Sequence, residues 1–214
     1  MKLFVHIPKC GGMTVRRNLS DRILVANAGN HISAAYTAAV ARRMIIANEH
    51  HGFEHARLRD WSRDLRAAYP AFALVRNPWA RTVSRYTFAC VTRDRSGQQS
   101  FREFLEERHL YGGMAYYWHR GIRGWYPQRD YVVDENDRLG VDVLRLESDD
   151  LQRYFGLDSA PERRGVSNTK GADYRDFYDD ECREIVADWY AEDIDFFGFS
   201  FDGPATSNLW TPES

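Results

Sequence analysis

Apolar positions come in short runs, and polar, glycine-bearing or proline-bearing turns separate them. Residues 3–7 (LFVHI) form a β-prone run that ends at Pro8, and residues 12–19 read as the opening of a helix. Residues 43–47 (RMIIA) predict a second strand that leads into Asn48, Glu49, His50 and His51. From 57 to 69 the apolar residues Leu58, Trp61, Leu65 and Ala68 recur at helical spacing until Pro70 stops them. Residues 71–75 (AFALV) are apolar throughout and bounded by Pro70 and Arg76-Asn77-Pro78, which predicts a buried parallel strand. Pro78 suits the first turn of a helix running to about residue 91.

Further along, Ser100 caps a helical pattern reaching 107, and a Tyr/Trp-rich stretch follows from 111 to 131. Short strands are expected at 132–133 and 141–146, and a helix at 149–155. A stronger helix is expected at 179–190, with Ile185, Val186 and Trp189 on one face. No internal repeat or low-complexity segment interrupts this order. Strands alternating with helices predict an α/β domain with a central, mostly parallel β-sheet flanked by helices. Residues 1–202 are read as that single domain, and the Pro/Ser/Thr-rich residues 203–214 as a loosely held tail.

Composition narrows the partners. At 214 residues the chain suits one domain that needs no disulfide staple. A formal charge of −2 argues against a protein whose main task is gripping nucleic acid. Cys10, Cys90 and Cys182 are widely spaced and form no metal-binding pair, so free thiols in a reducing compartment are expected. No apolar run approaches the roughly 20 residues of a membrane span, and the start does not read as a signal peptide. A cytoplasmic location is the expectation.

Two stretches carry chemistry. The first is Pro8-Lys9-Cys10-Gly11-Gly12-Met13-Thr14, directly after the first strand. Glycines there let backbone N–H groups turn inward, and the helix that follows offers its positive end to an anion. Lys9 adds a mobile charge and Thr14 a hydroxyl. This is no Walker A loop, where the lysine follows the glycines, and a plain turn with a surface lysine competes on this stretch alone. The second is "RNPWARTVSRY", in which Arg76 leaves a buried strand and Ser84 lies two turns into the next helix. In a parallel sheet both strand ends open on one edge, where α/β folds bind ligands. An arginine fork with a hydroxyl suits a phosphate monoester, whereas an Arg-rich amphipathic helix with a capping role for Arg76 is the competing view.

Together, in this order, the two stretches resemble the sulfotransferase superfamily. The stretch "VDVLRLESDDLQRYFGL" is similar to the strand–Arg-x-Glu–helix segment of its carbohydrate-type branch. The ending from Asn168-Thr169 through Phe-Gly-Phe resembles that branch as well. The likeness extends over residues 3–202 and is poor at 30–70 and 92–130. It implies a P-loop-like three-layer fold. It also implies that 3′-phosphoadenosine 5′-phosphosulfate (PAPS) donates a sulfuryl group to a carbohydrate or small-metabolite hydroxyl, with 3′-phosphoadenosine 5′-phosphate (PAP) released. By this resemblance Lys9, Cys10, Gly11, Gly12, Met13 and Thr14 hold the 5′-phosphosulfate, and Arg76 and Ser84 the 3′-phosphate. Cys10-Gly11-Gly12 departs from relatives whose loop carries a side-chain hydroxyl, which shifts weight onto Lys9 and backbone donors.

A hydroxyl acceptor needs a general base, and a histidine has a suitable pKa. His51 and His50 follow the second predicted strand, where carbohydrate-type relatives place a catalytic histidine. His51 is preferred, with Glu49 and His55 behind it and a solvated loop as the plain alternative. The basic loop of Arg163, Arg164, Asn168, Thr169 and Lys170 either closes over the nucleotide or is a solvated linker. Tyr116, Tyr117, Trp118, Trp125 and Tyr126 either stack on a ligand or, more commonly, fill core. Arg145 and Glu147 read as a structural pair. No metal is required in principle, since a sulfuryl group carries less charge than a γ-phosphoryl, and no His/carboxylate spacing completes a metal site. The alternatives are a nucleotide kinase, with Glu147 as the nearest magnesium ligand, and a non-catalytic nucleotide-binding protein.

Overall fold

In the computed structural model, which describes residues 1–25, 55–92, 100–106, 126–163 and 171–212, four parallel strands form the central sheet. They are β1 (Lys2–Val5), β2 (Ile23–Leu24), β3 (Ala71–Val75) and β4 (Asp142–Arg145), in the order β2-β1-β3-β4. Leu3 lies opposite Ala71, Val5 opposite Ala73, and Val75 opposite Arg145. Every residue of β3 is buried, and successive side chains of a strand point to opposite faces, so the sheet is covered on both sides. This is the α/β arrangement expected, with helices flanking a parallel sheet.

The helices are α1 (Gly12–Asn18), α2 (Arg63–Ala68), α3 (Pro78–Thr92), α4 (Phe101–Glu106), α5 (Arg129–Val132), α6 (Asp150–Phe155), α7 (Asp180–Trp189) and α8 (Ala191–Phe197). Phe4 stacks on Phe72 with centroids 5.0 Å apart, and Phe155 meets Phe72 edge-on. The chain leaves β1 for β2 on one side and returns to β3 on the other. Neighbouring connections therefore diverge at the C-terminal ends of β1 and β3, and a crevice opens there.

Three expectations need correction. The helical pattern at 57–69 is broken in two. Arg57 donates its N–H to the Asp60 carboxylate (2.9 Å), closing a 3-10 turn at Leu58–Asp60. Trp61 is then extended, and the Ser62 hydroxyl caps α2 by accepting from Leu65 N. The strand expected at 132–133 is the end of helix α5, and Val133 makes only a lone antiparallel bridge with Leu139. The buried Asp193 carboxylate accepts from the N–H groups of Gln128 and Arg129 (2.8 Å each), which favours a helical start there. The tail beyond 202 is tied to the domain as far as Trp210. Ala205 is buried, Thr206 and Ser207 donate to Phe197 O, and Trp210 N donates to Val143 O (2.9 Å). Trp210 also meets Tyr154 edge-on, so the tail closes the outer side of β4. The strand expected at 43–47 lies outside the described residues.

Candidate active site

The loops that follow β1, β3 and β4 meet α3 around a cavity of about 950 Å³. Its wall includes Lys9, Gly11, Gly12, Met13 and Thr14 from the first loop, and Arg76 and Ser84 from the second. The two motifs, remote in sequence, thus share one cleft at the sheet edge.

The first loop turns through the left-handed region twice, at Lys9 (φ 65°) and Gly11 (φ 77°). For Gly11 this is unstrained, whereas for a lysine it costs about 1–2 kcal/mol. Gly12 is required for another reason. A Cβ there would fall 1.6 Å from His6 Nε2, so the loop and the His6 ring pack together only with glycine. The N–H groups of Gly12 and Met13 belong to the first turn of α1 and have no acceptor within that helix.

The second junction is heavily braced. Asn77 accepts from Trp79 N and Ala80 N, which makes it the cap of α3. Its amide also donates to the carbonyls of Ser200, Phe201 and Gly203. Glu147, two residues past β4, accepts from Asn77 N (2.8 Å), and burial pushes its carboxyl above the usual range. Arg76 turns its guanidinium toward the first loop and donates to Lys9 O (3.3 Å).

Charge sets the character of this cleft. Among the described residues, no carboxylate lies within salt-bridge distance of Lys9 or of Arg76. The Lys9 ammonium sits over the Phe88 ring, 4.1 Å from its centre. Burial, with Arg76 and Arg85 as neighbouring cations, lowers the Lys9 pKa to about 8. Burial also lowers the Arg76 pKa. Ser84 is only 2 % exposed, yet its hydroxyl has no hydrogen-bond partner among the described residues. Two partly buried cations and the Ser84 hydroxyl thus line one cavity, together with the carboxylates of Glu147, Asp149 and Asp173.

The remaining candidates divide. His50, His51, Arg164, Asn168, Thr169 and Lys170 lie outside the described residues, as do Glu49, Tyr116, Tyr117, Trp118 and Trp125. Arg163 and His55 line the cavity. Tyr126 packs against the core, and its carbonyl accepts from Arg81. Cys10 faces away. Its thiol donates to Gln128 Oε1 (3.2 Å), its N–H goes to Ile7 O, and burial pushes the thiol up to about 12. Its side chain therefore braces the loop and is no part of the cavity wall. Arg145 forks onto Asp150 (2.8 and 2.9 Å) and not onto Glu147, because Asp150 starts the helix that follows and turns back onto the strand end.

Sequence reasoning missed His6, Arg85, Phe88 and Gln128. Arg85 and Phe88 share the helix of Ser84, and His6 lies within the 3–7 run directly after β1, so their places were available in the pattern. His55 Nδ1 lies 2.8 Å from His6 O, and the two rings are 4.2 Å apart. A carbonyl only accepts, so Nδ1 carries the hydrogen and Nε2 is the basic nitrogen of His55 in its neutral form.

A sequence model described as "Sulfotransferase family" matches residues 3–138. The chain belongs to this family. The matched stretch of this sulfotransferase runs from β1 past α5 and takes in Lys9, Arg76, Ser84 and Gln128. Among solved structures, a sulfotransferase from Alicyclobacillus acidocaldarius is similar at 20% identity, over 91% of this chain and 92% of that one, with a TM-score of 0.46. No curated protein matches this sulfotransferase significantly. No helix among the described residues is long and apolar enough to cross a membrane.

Proposed function

We propose that this sulfotransferase uses PAPS as donor and transfers its sulfuryl group to a hydroxyl of a carbohydrate or a small metabolite. The observation that carries this reading is the pair of cations without a salt-bridged carboxylate, Lys9 and Arg76, with the Ser84 hydroxyl beside them in one cleft. PAPS presents two anionic groups, a 5′-phosphosulfate and a 3′-phosphate. Lys9 and the first N–H groups of α1 hold the former, and Arg76 with Ser84 holds the latter.

In the transfer, the acceptor oxygen forms a bond to sulfur while the bond from sulfur to the 5′-phosphate oxygen breaks. The electron pair leaves with PAP, and the acceptor proton passes to a base. Lys9 stabilises the charge that grows on the leaving phosphate. The base is an imidazole of the segment 50–55. His55 fits by its cavity position and its fixed tautomer, and His51 by its place after the strand expected at 43–47. Arg163 lines the same cavity and adds a cation for the nucleotide; Arg164, Asn168, Thr169 and Lys170, which follow it in the sequence, are proposed as further donor contacts. The reaction needs no metal on this scheme.

Calorimetry with PAP and with adenosine 5′-phosphate tests the donor site. The ligands differ in the 3′-phosphate, and charge-assisted hydrogen bonds contribute about 1.5–3 kcal/mol each. PAP is expected to bind at least tenfold tighter, and equal affinities would remove the assignment. Transfer from PAPS to a panel of sugar and small-metabolite hydroxyls, run with a chelator, then tests the chemistry. His55→Ala and His51→Ala separate the two bases, since loss of the base costs roughly 10²–10⁴ in turnover.

A further inference from the structure

One buried glutamine touches both anion-facing loops, and nothing in its sequence neighbourhood marks it. Gln128 is fully buried. Its Oε1 accepts from Arg76 N (2.8 Å) and from the Cys10 thiol (3.2 Å), while its Nε2 donates to Arg76 O (2.8 Å). Residue 76 has just left β3, where the neighbouring strands no longer supply partners for its peptide groups. The glutamine amide supplies both, as a strand edge would, and only one orientation of the amide satisfies this donor and this acceptor together. The same oxygen reaches Cys10, next to Lys9.

The glutamine is itself anchored. Its backbone N–H donates to the buried Asp193 carboxylate at the start of α8 (2.8 Å). Beside it, Arg81 of α3 donates from Nε to Pro8 O (3.1 Å) and from a terminal nitrogen to Tyr126 O (2.7 Å), so the Lys9 loop and the approach to Gln128 are tied to one helix. We propose that Gln128 is a positioning residue that locks Arg76 and the Lys9 loop into one register, so that the two phosphate groups of the donor are held at a fixed separation. The inference rests on the donor assignment proposed above. Burial of Gln128 keeps it away from the ligand, so it acts through Arg76 and Cys10. A displacement near 1 Å at reacting groups costs about 10²-fold in rate, and this bracket opposes such a displacement.

The test compares Gln128→Met, similar in shape but without either hydrogen bond to Arg76, with the isosteric Gln128→Glu. Ionised, the glutamate still accepts from Arg76 N but has no hydrogen for Arg76 O. The readouts are the ratio of PAP to adenosine 5′-phosphate affinity, and donor KM against kcat, at temperatures well below each thermal midpoint. Gln128→Met is expected to lower the affinity ratio at least tenfold and to raise donor KM, and Gln128→Glu to lower the ratio at least threefold. Should Gln128→Met not fold, the result with Gln128→Glu decides. Variants that lose stability but keep the wild-type ratio and donor KM would make Gln128 a packing element and overturn the inference, leaving the donor site intact. A wild-type protein without preference for PAP overturns the donor assignment, and this inference with it.

Discussion

The two anion-facing junctions are both tied down, but they present their cations differently. The turn after β3 is over-determined: Gln128 brackets Arg76, Glu147 holds Asn77 N, and Asn77 caps α3 while gripping three carbonyls from 200–203. The turn after β1 carries a left-handed lysine whose ammonium rests over an aromatic ring. A rigid arginine suits a group that stays put through the reaction. A lysine whose charge is costly in the empty site responds most strongly when negative charge arrives beside it. On the proposed donor assignment, this division suits a 3′-phosphate that only anchors and a 5′-phosphate that becomes the leaving group.

Breaking the lysine side should give the largest effect. Lys9→Ala is expected to lower turnover by ~10²–10³, because one contact to developing charge is lost from a desolvated site. PAP affinity should fall much less, since Arg76 and Ser84 remain. Single-turnover rates beside calorimetric affinities measure the two separately. Equal losses in both would make Lys9 a ground-state contact and erase the contrast between the junctions.

Breaking the braced side should show in stability. Asn77→Ala removes the cap of α3 and leaves three carbonyls with fewer partners. The expected loss is about 2–4 kcal/mol in urea unfolding. A loss below 1 kcal/mol would mean that water replaces the side chain and that the junction is not braced as described.

The same contrast governs what was legible in sequence. β3 and its exit were plain, because AFALV is apolar throughout and Pro78 marks where the helix can begin. Lys9, the glycine pair, Arg76 and Ser84 were legible because their chemistry is local to a turn or a helix face. Gln128 was not, since its partners Cys10, Arg76 and Asp193 lie far away in the chain and glutamine has no spacing signature. The break at Trp61 escaped because the apolar spacing of Leu58, Trp61 and Leu65 continues across it, while the hydrogen bonds of Asp60 and Ser62 decide the backbone. Asn77 was seen only as part of a motif, although its reach to 200–203 is what packs the tail.

A smaller effect sharpens the electrostatic side. With a Lys9 pKa of about 8 in the empty site, the charged form dominates at pH 7 and is the minority at pH 9. An anion favours the charged form, so PAP binding should take up a proton above about pH 8. Affinity should fall about fivefold from pH 8 to 9 if the bound lysine stays protonated. Stability of the empty protein moves the other way. The unfolded lysine holds its proton up to about 10.4, so this group makes folding more favourable as pH rises from 8 toward that value. Calorimetry in two buffers of different ionisation enthalpy counts the proton. No uptake at pH 8.5, or the same uptake in Lys9→Ala, would assign the titration elsewhere.

The smallest effect isolates the backbone of the lysine turn. At φ 65° any residue with a Cβ is strained, and Lys9→Ala keeps that strain while removing the charge. Lys9→Gly removes both. Glycine gains about 1–2 kcal/mol from relief of the left-handed geometry and loses about 0.4–1 kcal/mol through the freedom of its unfolded chain. Lys9→Gly should therefore be more stable than Lys9→Ala by about 1 kcal/mol in urea unfolding, although both are equally poor in turnover. If the two variants unfold at the same midpoint, the turn relaxes once the lysine is gone, and its geometry is held by the side chain over Phe88. If the glycine variant is the more stable, the loop itself imposes the conformation, and the lysine is kept there against a local backbone cost because its charge is needed at that point of the cleft.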